Sequence, residues 1–286
     1  MGSRCSITLF AESEQQAAVV ARGAFEEIGR IERILTDFDA DSESMRLTQA
    51  EIGKWHAVSP TLLKVLLQSE RFFQLSEGAF DPTVGAYTHL WRDARKEGRV
   101  PNAKELKRAG VSSGFHSLEI DSQKRRARVL VAGVILDFGG IGKGYAADKA
   151  LGLIVARGYR SAMVNLGGDI AIGDSPPSEE GWEIEIQDGT REHRTLTLSN
   201  CGIATSGDAE QFIIVDGIKY SHILDPRTGI GVTNQRAVSV IAEDAATADA
   251  LASIVSVTGQ SGIESLQTTF PDALFVHSLG NIELNE

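Results

Sequence analysis

The spacing of hydrophobic positions predicts two long amphipathic helices near the start of the chain. In residues 13–35, an apolar residue recurs every three or four positions, which is the spacing of one helix face. In residues 59–75, Ser59 suits the N-cap position and Pro60 suits the first helical position. The apolar stripe of the first helix consists of Ala17, Val20, Ala24, Ile28, Ile31 and Leu35.

Shorter apolar runs predict strands in the rest of the chain. The predicted strands are residues 117–120, 129–136, 162–166, 182–186, 195–199, 212–215, 237–242 and 273–277. These runs fall in hairpin-like groups separated by helices and do not alternate strictly with helices. Because strict alternation is typical of doubly wound sheets, this order predicts an α+β fold with mixed or antiparallel sheets flanked by helices.

Length and composition predict one domain over residues 1–286. A chain of 286 residues can bury a substantial core. The sequence contains no Pro- or Ser-rich linker, internal repeat or low-complexity tract that would divide it. Residues 175–181 are the most loop-like stretch and are expected to form a surface excursion between strands.

Charge and cysteine content exclude several classes of function. The formal net charge is −11, from 39 acidic and 28 basic residues, and without a basic stripe this argues against nucleic-acid binding. No run of 18 apolar residues is present, so the sequence predicts no membrane span. Cys5 and Cys201 form no metal-ligand pair, which argues against zinc. Two buried free thiols are expected, and a disulfide between them stays open.

The most distinctive segment is residues 136–149, where a four-glycine turn joins an apolar run to a helical pattern. Backbone N–H groups in such a turn can approach a ligand, and a helix N-terminus favours negative charge, so the segment suits a phosphorylated molecule. Neither common nucleotide motif fits, because Asp137 and Gly144 break the P-loop pattern and Tyr145 breaks the dinucleotide pattern. The alternative is a glycine turn that only lets a helix pack on a strand.

A second candidate cluster surrounds His222, which follows a strand-like run. Tyr220, Ser221 and Asp225 are expected to bracket this histidine, and residues 204–208 supply further hydroxyl and acidic groups. That environment favours a functional site. The alternatives are a structural histidine and an ordinary turn at residues 225–229.

A third cluster pairs Asp249 with Ser253 in a segment of small helix-forming residues. Their spacing of four places both side chains on one helix face. Carboxylate and hydroxyl oxygens are hard ligands that suit Mg²⁺, although a helix N-terminal acid beside a packing serine is the alternative. Residues 76–85 form a fourth cluster, for which a turn after the second helix is the alternative.

Taken together, these segments resemble the ApbE family of flavin transferases, the FAD:protein FMN transferases, over nearly the whole chain. Each segment is weak alone, but their order and spacing agree with the family. The resemblance is carried by residues 1–3, 41–47, 78–82, 137–144, 165–169, 204–208, 222–229 and 248–253.

The resemblance implies that the FMN half of FAD is transferred to a threonine or serine hydroxyl of an acceptor flavoprotein, with release of AMP. Mg²⁺ would neutralise the pyrophosphate and stabilise the leaving AMP. By matching to the family motifs, Asp249 and Ser253 are implied side-chain ligands, and the carbonyl of Gly140 is the implied backbone ligand. Ser253 stands where the family usually has threonine, which keeps the hydroxyl. In the family, the acceptor is often a subunit of a membrane redox complex.

The same matching implies the FAD-binding residues. Asp137 and Lys143 occupy FAD-binding positions, and Lys143 is expected to face the phosphates. His222 is the candidate that accepts the proton of the acceptor hydroxyl, and orienting the phosphate is its alternative role. Packing against the flavin and adenine rings is expected from Met1, Phe38, Ala79, Phe80 and Asp81.

Two other functions stay open at the level of sequence. One is an FAD pyrophosphatase that yields FMN and AMP, with water in place of the acceptor hydroxyl. The other is a non-catalytic FAD-binding protein. The expected location is the bacterial periplasm or the outer face of the inner membrane if a leader peptide has been removed, and the cytoplasm otherwise. The sequence leaves the oligomeric state open.

Overall fold

The structure is a computed structural model that describes residues 4–187, 193–207, 212–233 and 237–277. Its helices and strands confirm the α+β prediction. The helices are α1 (Glu14–Leu35), α2 (Glu43–Thr48), α3 (Pro60–Leu75), α4 (Gly85–Lys96), α5 (Ala103–Gly110), α6 (Gly142–Ala156), α7 (Ala245–Thr258) and α8 (Gln260–Gln267).

The strands are β1 (Cys5–Leu9), β2 (His56–Ala57), β3 (Leu118–Asp121), β4 (Arg126–Val129), β5 (Ala162–Leu166), β6 (Asp169–Ile172), β7 (Trp182–Gln187), β8 (His193–Leu198), β9 (Cys201–Ser206), β10 (Phe212–Val215), β11 (Ile218–Ser221), β12 (Leu224–Asp225), β13 (Ile230–Gly231), β14 (Val238–Ala242) and β15 (Leu274–His277). Six of them form the largest sheet in the order β1-β5-β6-β9-β14-β15, and each neighbouring pair is antiparallel.

The two predicted long helices form because their sequences supply both a cap and an apolar face. The Ser13 hydroxyl accepts a hydrogen bond from the N–H of Gln16 at the start of α1. The Ser59 hydroxyl does the same for Leu62 at the start of α3. The predicted apolar stripe of α1 is largely buried, with Val20, Ala24, Ile28, Ile31 and Leu35 inside the protein.

Alternate residues of the central sheet divide between two apolar cores. Helices α6 and α7 lie against β5, β6, β9 and β14, where Val164 and Val240 join the larger core. Ile172 and Ile203 pack with Trp182 in a second core that includes the β7–β8 hairpin. Helix α7, which carries Asp249 and Ser253, therefore packs directly on the central sheet.

The prediction of a strand over residues 129–136 is wrong. Strand β4 ends at Val129, and the following residues form a turn in which Gly133 has a φ of +83°. Only Ile135 makes an isolated bridge, to Val84. A left-handed glycine interrupts the extended backbone, so an apolar run that looks continuous in sequence does not form one strand.

Three further expectations can be compared with the fold. Residues 175–181 form a loop between β6 and β7, as predicted. Cys5 and Cys201 are free thiols, and both are half-buried rather than fully buried. Among the helices of the described residues, none has the length and apolar character needed to span a membrane.

Candidate active site

The glycine-rich loop leads directly into α6. The Asp137 carboxylate accepts a hydrogen bond from the N–H of Gly139 at 2.8 Å, which fixes the start of the turn. Helix α6 begins at Gly142, and its N-cap residue, Ile141, supplies no side-chain hydrogen bond. The N–H of Gly144 instead donates to Oδ2 of Asp249 at 3.3 Å. A carboxylate on α7 therefore caps the beginning of α6.

Lys143 forms ion pairs with two buried aspartates. Its ammonium contacts the carboxylate of Asp169 and lies 3.6 Å from Oδ2 of Asp249. Burial raises the pKa of both carboxyl groups, and the Lys143 ammonium opposes that rise. Burial alone would lower the pKa of Lys143, but Asp249 and Asp169 raise it above its ordinary value. The cluster therefore places an ammonium group beside two buried aspartates.

Gly140 and Ser253 lie in close contact. A Cβ atom added to Gly140 would come 2.7 Å from the Ser253 Oγ and 3.2 Å from Cε2 of Phe80. Only glycine leaves this space open, so the loop backbone can approach the hydroxyl. The structure thus brings together Gly140, Ser253 and, through the shared helix α7, Asp249.

These residues fit a magnesium ion by their chemistry and by the space that Gly140 leaves. The candidate donors are a carboxylate, a hydroxyl and a backbone carbonyl, which are the hard oxygens that Mg²⁺ takes in small numbers. Within the described parts of the chain, no group of three or more His, Cys, Asp or Glu side chains could hold a metal ion. A metal at this position would therefore depend on Ser253 and the Gly140 carbonyl as well as on Asp249.

The side chains of Ala79, Phe80 and Asp81 are buried, with exposed fractions of 2%, 6% and 7%. The Asp81 carboxylate accepts hydrogen bonds from the backbone N–H and the hydroxyl of Thr83, at 2.8 and 2.7 Å. Burial raises the pKa of Asp81. Phe80 packs edge-on against Phe72 and borders Gly140. This turn is therefore buried and lies directly beside the glycine-rich loop.

Phe38 is exposed, and an arginine holds it in place. Its side chain is 79% exposed, and the guanidinium of Arg92 lies 4.2 Å from the ring centroid. Arg92 also pairs with the Asp37 carboxylate and lies 3.7 Å from Oδ2 of Asp137. The structure therefore connects two residues that family matching had assigned to FAD, Phe38 and Asp137.

Arg92, Asp37 and the pairing of Asp169 with Lys143 are not predicted by the sequence pattern. Arg92 lies on α4, a helix that the sequence pattern did not predict, so no signal pointed to it. Asp169 belongs to one of the motif segments, but the family matching gave it no role.

His222 is exposed in the bend between β11 and β12. Near it in the chain, the Tyr220 ring packs at a tilt against Trp91 with 5.6 Å between the ring centroids, and the Asp225 carboxylate pairs with Arg227 at 2.9 Å. The Ser221 hydroxyl accepts the N–H of Ile223. Of the residues used in the sequence interpretation, residues 1–3, which include Met1, and residue 208 lie outside the described residues.

Comparison with known proteins assigns the family. The sequence profile of the ApbE family matches residues 1–275. A Treponema pallidum protein named FAD:protein FMN transferase is 32% identical over 300 residues, which cover 96% of this chain and 82% of that protein. A Chlamydia muridarum protein of the same name is 35% identical over 230 residues, which cover 79% of this chain and 72% of that protein.

The fold agrees with that assignment. The crystal structure of the ApbE protein from Thermotoga maritima is similar, with a TM-score of 0.85 and 30% sequence identity. The match covers 100% of this chain and 94% of that one. Sequence and structure together show that this chain belongs to the ApbE family and is a transferase.

Proposed function

We propose that this chain is a magnesium-dependent FAD:protein FMN transferase. It moves FMN from FAD onto a threonine or serine hydroxyl of an acceptor flavoprotein and releases AMP. The observation that carries the proposal is the convergence of Gly140, Asp249 and Ser253 beside the Lys143 ammonium. The relatives named FAD:protein FMN transferase, which match along most of the chain, support the same reaction.

The residues that would hold the metal are Asp249, Ser253 and the carbonyl of Gly140. Held by these residues, Mg²⁺ would neutralise phosphate charge and so stabilise the leaving AMP. Asp169 stays paired with Lys143 and keeps that ammonium close to the ligands. The N–H of Gly144 holds Oδ2 of Asp249, which fixes one oxygen of the carboxylate.

The chemistry exchanges a phosphoanhydride bond for a phosphoester bond. The acceptor oxygen forms a bond to the phosphorus nearer riboflavin, and the bond from that phosphorus to the bridging oxygen breaks. AMP leaves with the electron pair of the broken bond, and the proton of the acceptor hydroxyl passes to His222. Lys143 and the first N–H groups of α6 supply positive charge where the phosphates would lie.

The FAD site in this proposal extends from the loop to α4. Asp137 and Phe38 contribute to it, and Arg92 orients both of them. An exposed aromatic ring held over a guanidinium offers a free face on which a flavin or adenine ring can stack. Ala79, Phe80 and Asp81 contribute the buried wall beside Gly140.

The deciding experiment follows AMP and covalent flavin together. The purified protein is incubated with FAD, Mg²⁺ and a bacterial lysate as the acceptor source, and AMP is quantified by chromatography. Covalently bound flavin is detected by fluorescence on a denaturing gel. Transfer predicts a fluorescent protein band and AMP in equal amounts, and Asp249→Asn should remove both.

The rival functions give other results in the same experiment. An FAD pyrophosphatase would release AMP at full rate without any acceptor and would produce no fluorescent band. A non-catalytic flavin-binding protein would retain yellow cofactor and would release no AMP, either with or without an acceptor. Either result would overturn the proposed transfer.

A further inference from the structure

Helices α6 and α7 cap each other at their N-termini. At the start of α6, the N–H of Gly144 donates to Asp249 on α7. At the start of α7, the N–H groups of Ala245 and Ala246 donate to the two oxygens of Asp148 on α6, each at 2.9 Å. The first N–H groups of a helix have no carbonyl partner within that helix. Each helix therefore satisfies donors of the other.

The backbones of α6 and α7 also lie in close contact at Gly144 and Ala245. A Cβ atom added to Gly144 would overlap the backbone of Ala245, so only glycine permits the contact. Asp148 lies one helical turn after Gly144, and Asp249 lies one turn after Ala245. The contact and the two caps form one continuous clasp between the helices.

The local cap of α7 makes no such connection. Asp244 is the N-cap residue of α7, and its carboxylate accepts the N–H of Thr247 at 2.7 Å. This bond stays within α7 and its N-terminal turn. Among the described hydrogen bonds, the two that Asp148 accepts join the first N–H groups of α7 to the helix that carries Lys143 and Gly144.

We propose that Asp148 is a positioning residue for the candidate metal site, which holds α7 in the register that places Asp249 against Gly144 and Lys143. The inference rests on the proposed function. Asp148 itself contacts none of Gly140, Asp249 and Ser253 through a described hydrogen bond; it acts through the backbone of α7. Residues that orient metal ligands in this way change metal affinity by roughly 10- to 100-fold when they are mutated.

The test compares Asp148→Asn with Asp244→Ala. Asparagine retains one acceptor but turns an N–H₂ group toward the other backbone donor, which loosens the clasp. Asp244→Ala removes a cap from the same helix but removes no hydrogen bond between α7 and α6, so it is the matched control. Thermal unfolding measures how much stability each variant loses, and the two losses should be similar.

Mg²⁺ affinity is measured by calorimetric titration, with and without FAD. Asp148→Asn should weaken Mg²⁺ binding by about 10-fold. Asp244→Ala should change it by less than about threefold, although it lowers stability to a similar extent. Equal effects of both variants on Mg²⁺ affinity would overturn the proposal, since the clasp would then be no more than a helix cap.

A second readout needs neither metal nor FAD. Hydrogen exchange of the Gly144 amide reports directly on its bond to Asp249. Asp148→Asn should accelerate this exchange by about 10-fold, and Asp244→Ala should leave it near the wild-type rate. An unchanged Gly144 rate in Asp148→Asn would overturn the proposal. If Asp148→Asn does not fold, Asp148→Glu, which keeps both acceptors but shifts them by one methylene, is judged by the same criteria.

The two readouts separate this inference from the proposed function. A wild-type protein that binds no Mg²⁺ would overturn the proposed metal-dependent function. The Gly144 exchange rates would then still decide whether Asp148 holds Asp249 in place.

Discussion

Lys143 and Asp249 lie within ion-pair distance, with 3.6 Å between the ammonium nitrogen and Oδ2 of the carboxylate. The same ammonium pairs with Asp169, and both aspartate side chains are buried. A cation therefore already compensates these carboxylates before any ligand binds. A metal ion that binds Asp249, or a phosphate that binds Lys143, must exchange with this pair.

Removing Lys143 should destabilise the protein. Lys143→Met leaves two buried carboxylates without their cation, so the free energy of unfolding should fall by about 3 kcal/mol in urea titrations at neutral pH. Lys149→Met removes a charge from an exposed position of the same helix and should cost less than about 1 kcal/mol. Mg²⁺ should stabilise Lys143→Met more than wild type, because the metal then replaces a cation instead of competing with one.

The same variant tests the role of Lys143 in FAD binding. Lys143→Met should weaken FAD binding in calorimetric titrations, and the loss should be larger at low salt, where phosphate charge is less screened. Unchanged FAD affinity at every salt concentration would limit Lys143 to the structural ion pairs with Asp169 and Asp249.

The hydroxyl of Ser253 should be required for metal binding. Ser253→Ala should abolish Mg²⁺-dependent AMP release, whereas Ser253→Thr keeps the hydroxyl and should stay active. Ser256→Ala is the matched control, because Ser256 is a buried serine less than one turn further along α7 that donates to the Ala252 carbonyl. Equal activity of Ser253→Ala and Ser256→Ala would remove Ser253 from the metal site.

A side chain at Gly140 should disturb metal and flavin binding together. In Gly140→Ala, the new methyl group would meet the Ser253 hydroxyl at 2.7 Å and the Phe80 ring at 3.2 Å. Both ligands should therefore bind more weakly in calorimetric titrations. Gly152→Ala places a methyl group in open space on α6 and should be neutral, or stabilising by up to about 1 kcal/mol. Normal binding of both ligands by Gly140→Ala would reduce the loop to a packing turn.

His222 should affect turnover more than binding. If His222 is the general base, His222→Ala should lower the rate of transfer by about 10²- to 10⁴-fold, while FAD affinity changes little. The pH–rate profile of the variant should also lose the acidic limb that a protonated histidine produces. Weaker FAD binding with unchanged turnover would assign His222 to orienting the phosphate instead.

Asp148 should make stability depend on pH near neutrality. Burial, and then the neighbouring Asp244, raise its pKa to about 7 against an ordinary value of 3.8, while the N–H groups of Ala245 and Ala246 and the charge of Lys149 oppose the rise. Between these values the folded protein binds more protons than the unfolded chain, so stability falls as pH rises through about 7. The cleft that Asp148 borders also contains Glu243, Asp174 and Arg160.

Urea titrations across this range measure the effect. Relative to Asp148→Asn, wild type should lose up to about 4 kcal/mol between pH 4 and pH 8, at roughly 1.4 kcal/mol per pKa unit. The variant removes only this group, so other titrating residues cancel in the difference. A difference between the two proteins that is constant with pH would show that Asp148 does not titrate in this range.

The sequence by itself determined the features that depend on near neighbours in the chain. Helices α1 and α3 follow from local periodicity and from the caps at Ser13 and Ser59. The i, i+4 spacing of Asp249 and Ser253 placed both on one helix, as observed. The order and spacing of the short motifs were sufficient to indicate the ApbE family, because both can be read along the chain without the fold.

The tertiary structure decided the features that join distant parts of the chain. Asp148 meets Ala245 across 97 positions, and Gly144 meets Asp249 across 105, so no local pattern could reveal the clasp. Arg92 reaches Asp37 from 55 positions away. Such contacts depend on how helices pack on the sheet, and that packing follows from the burial of the whole apolar surface rather than from any one segment.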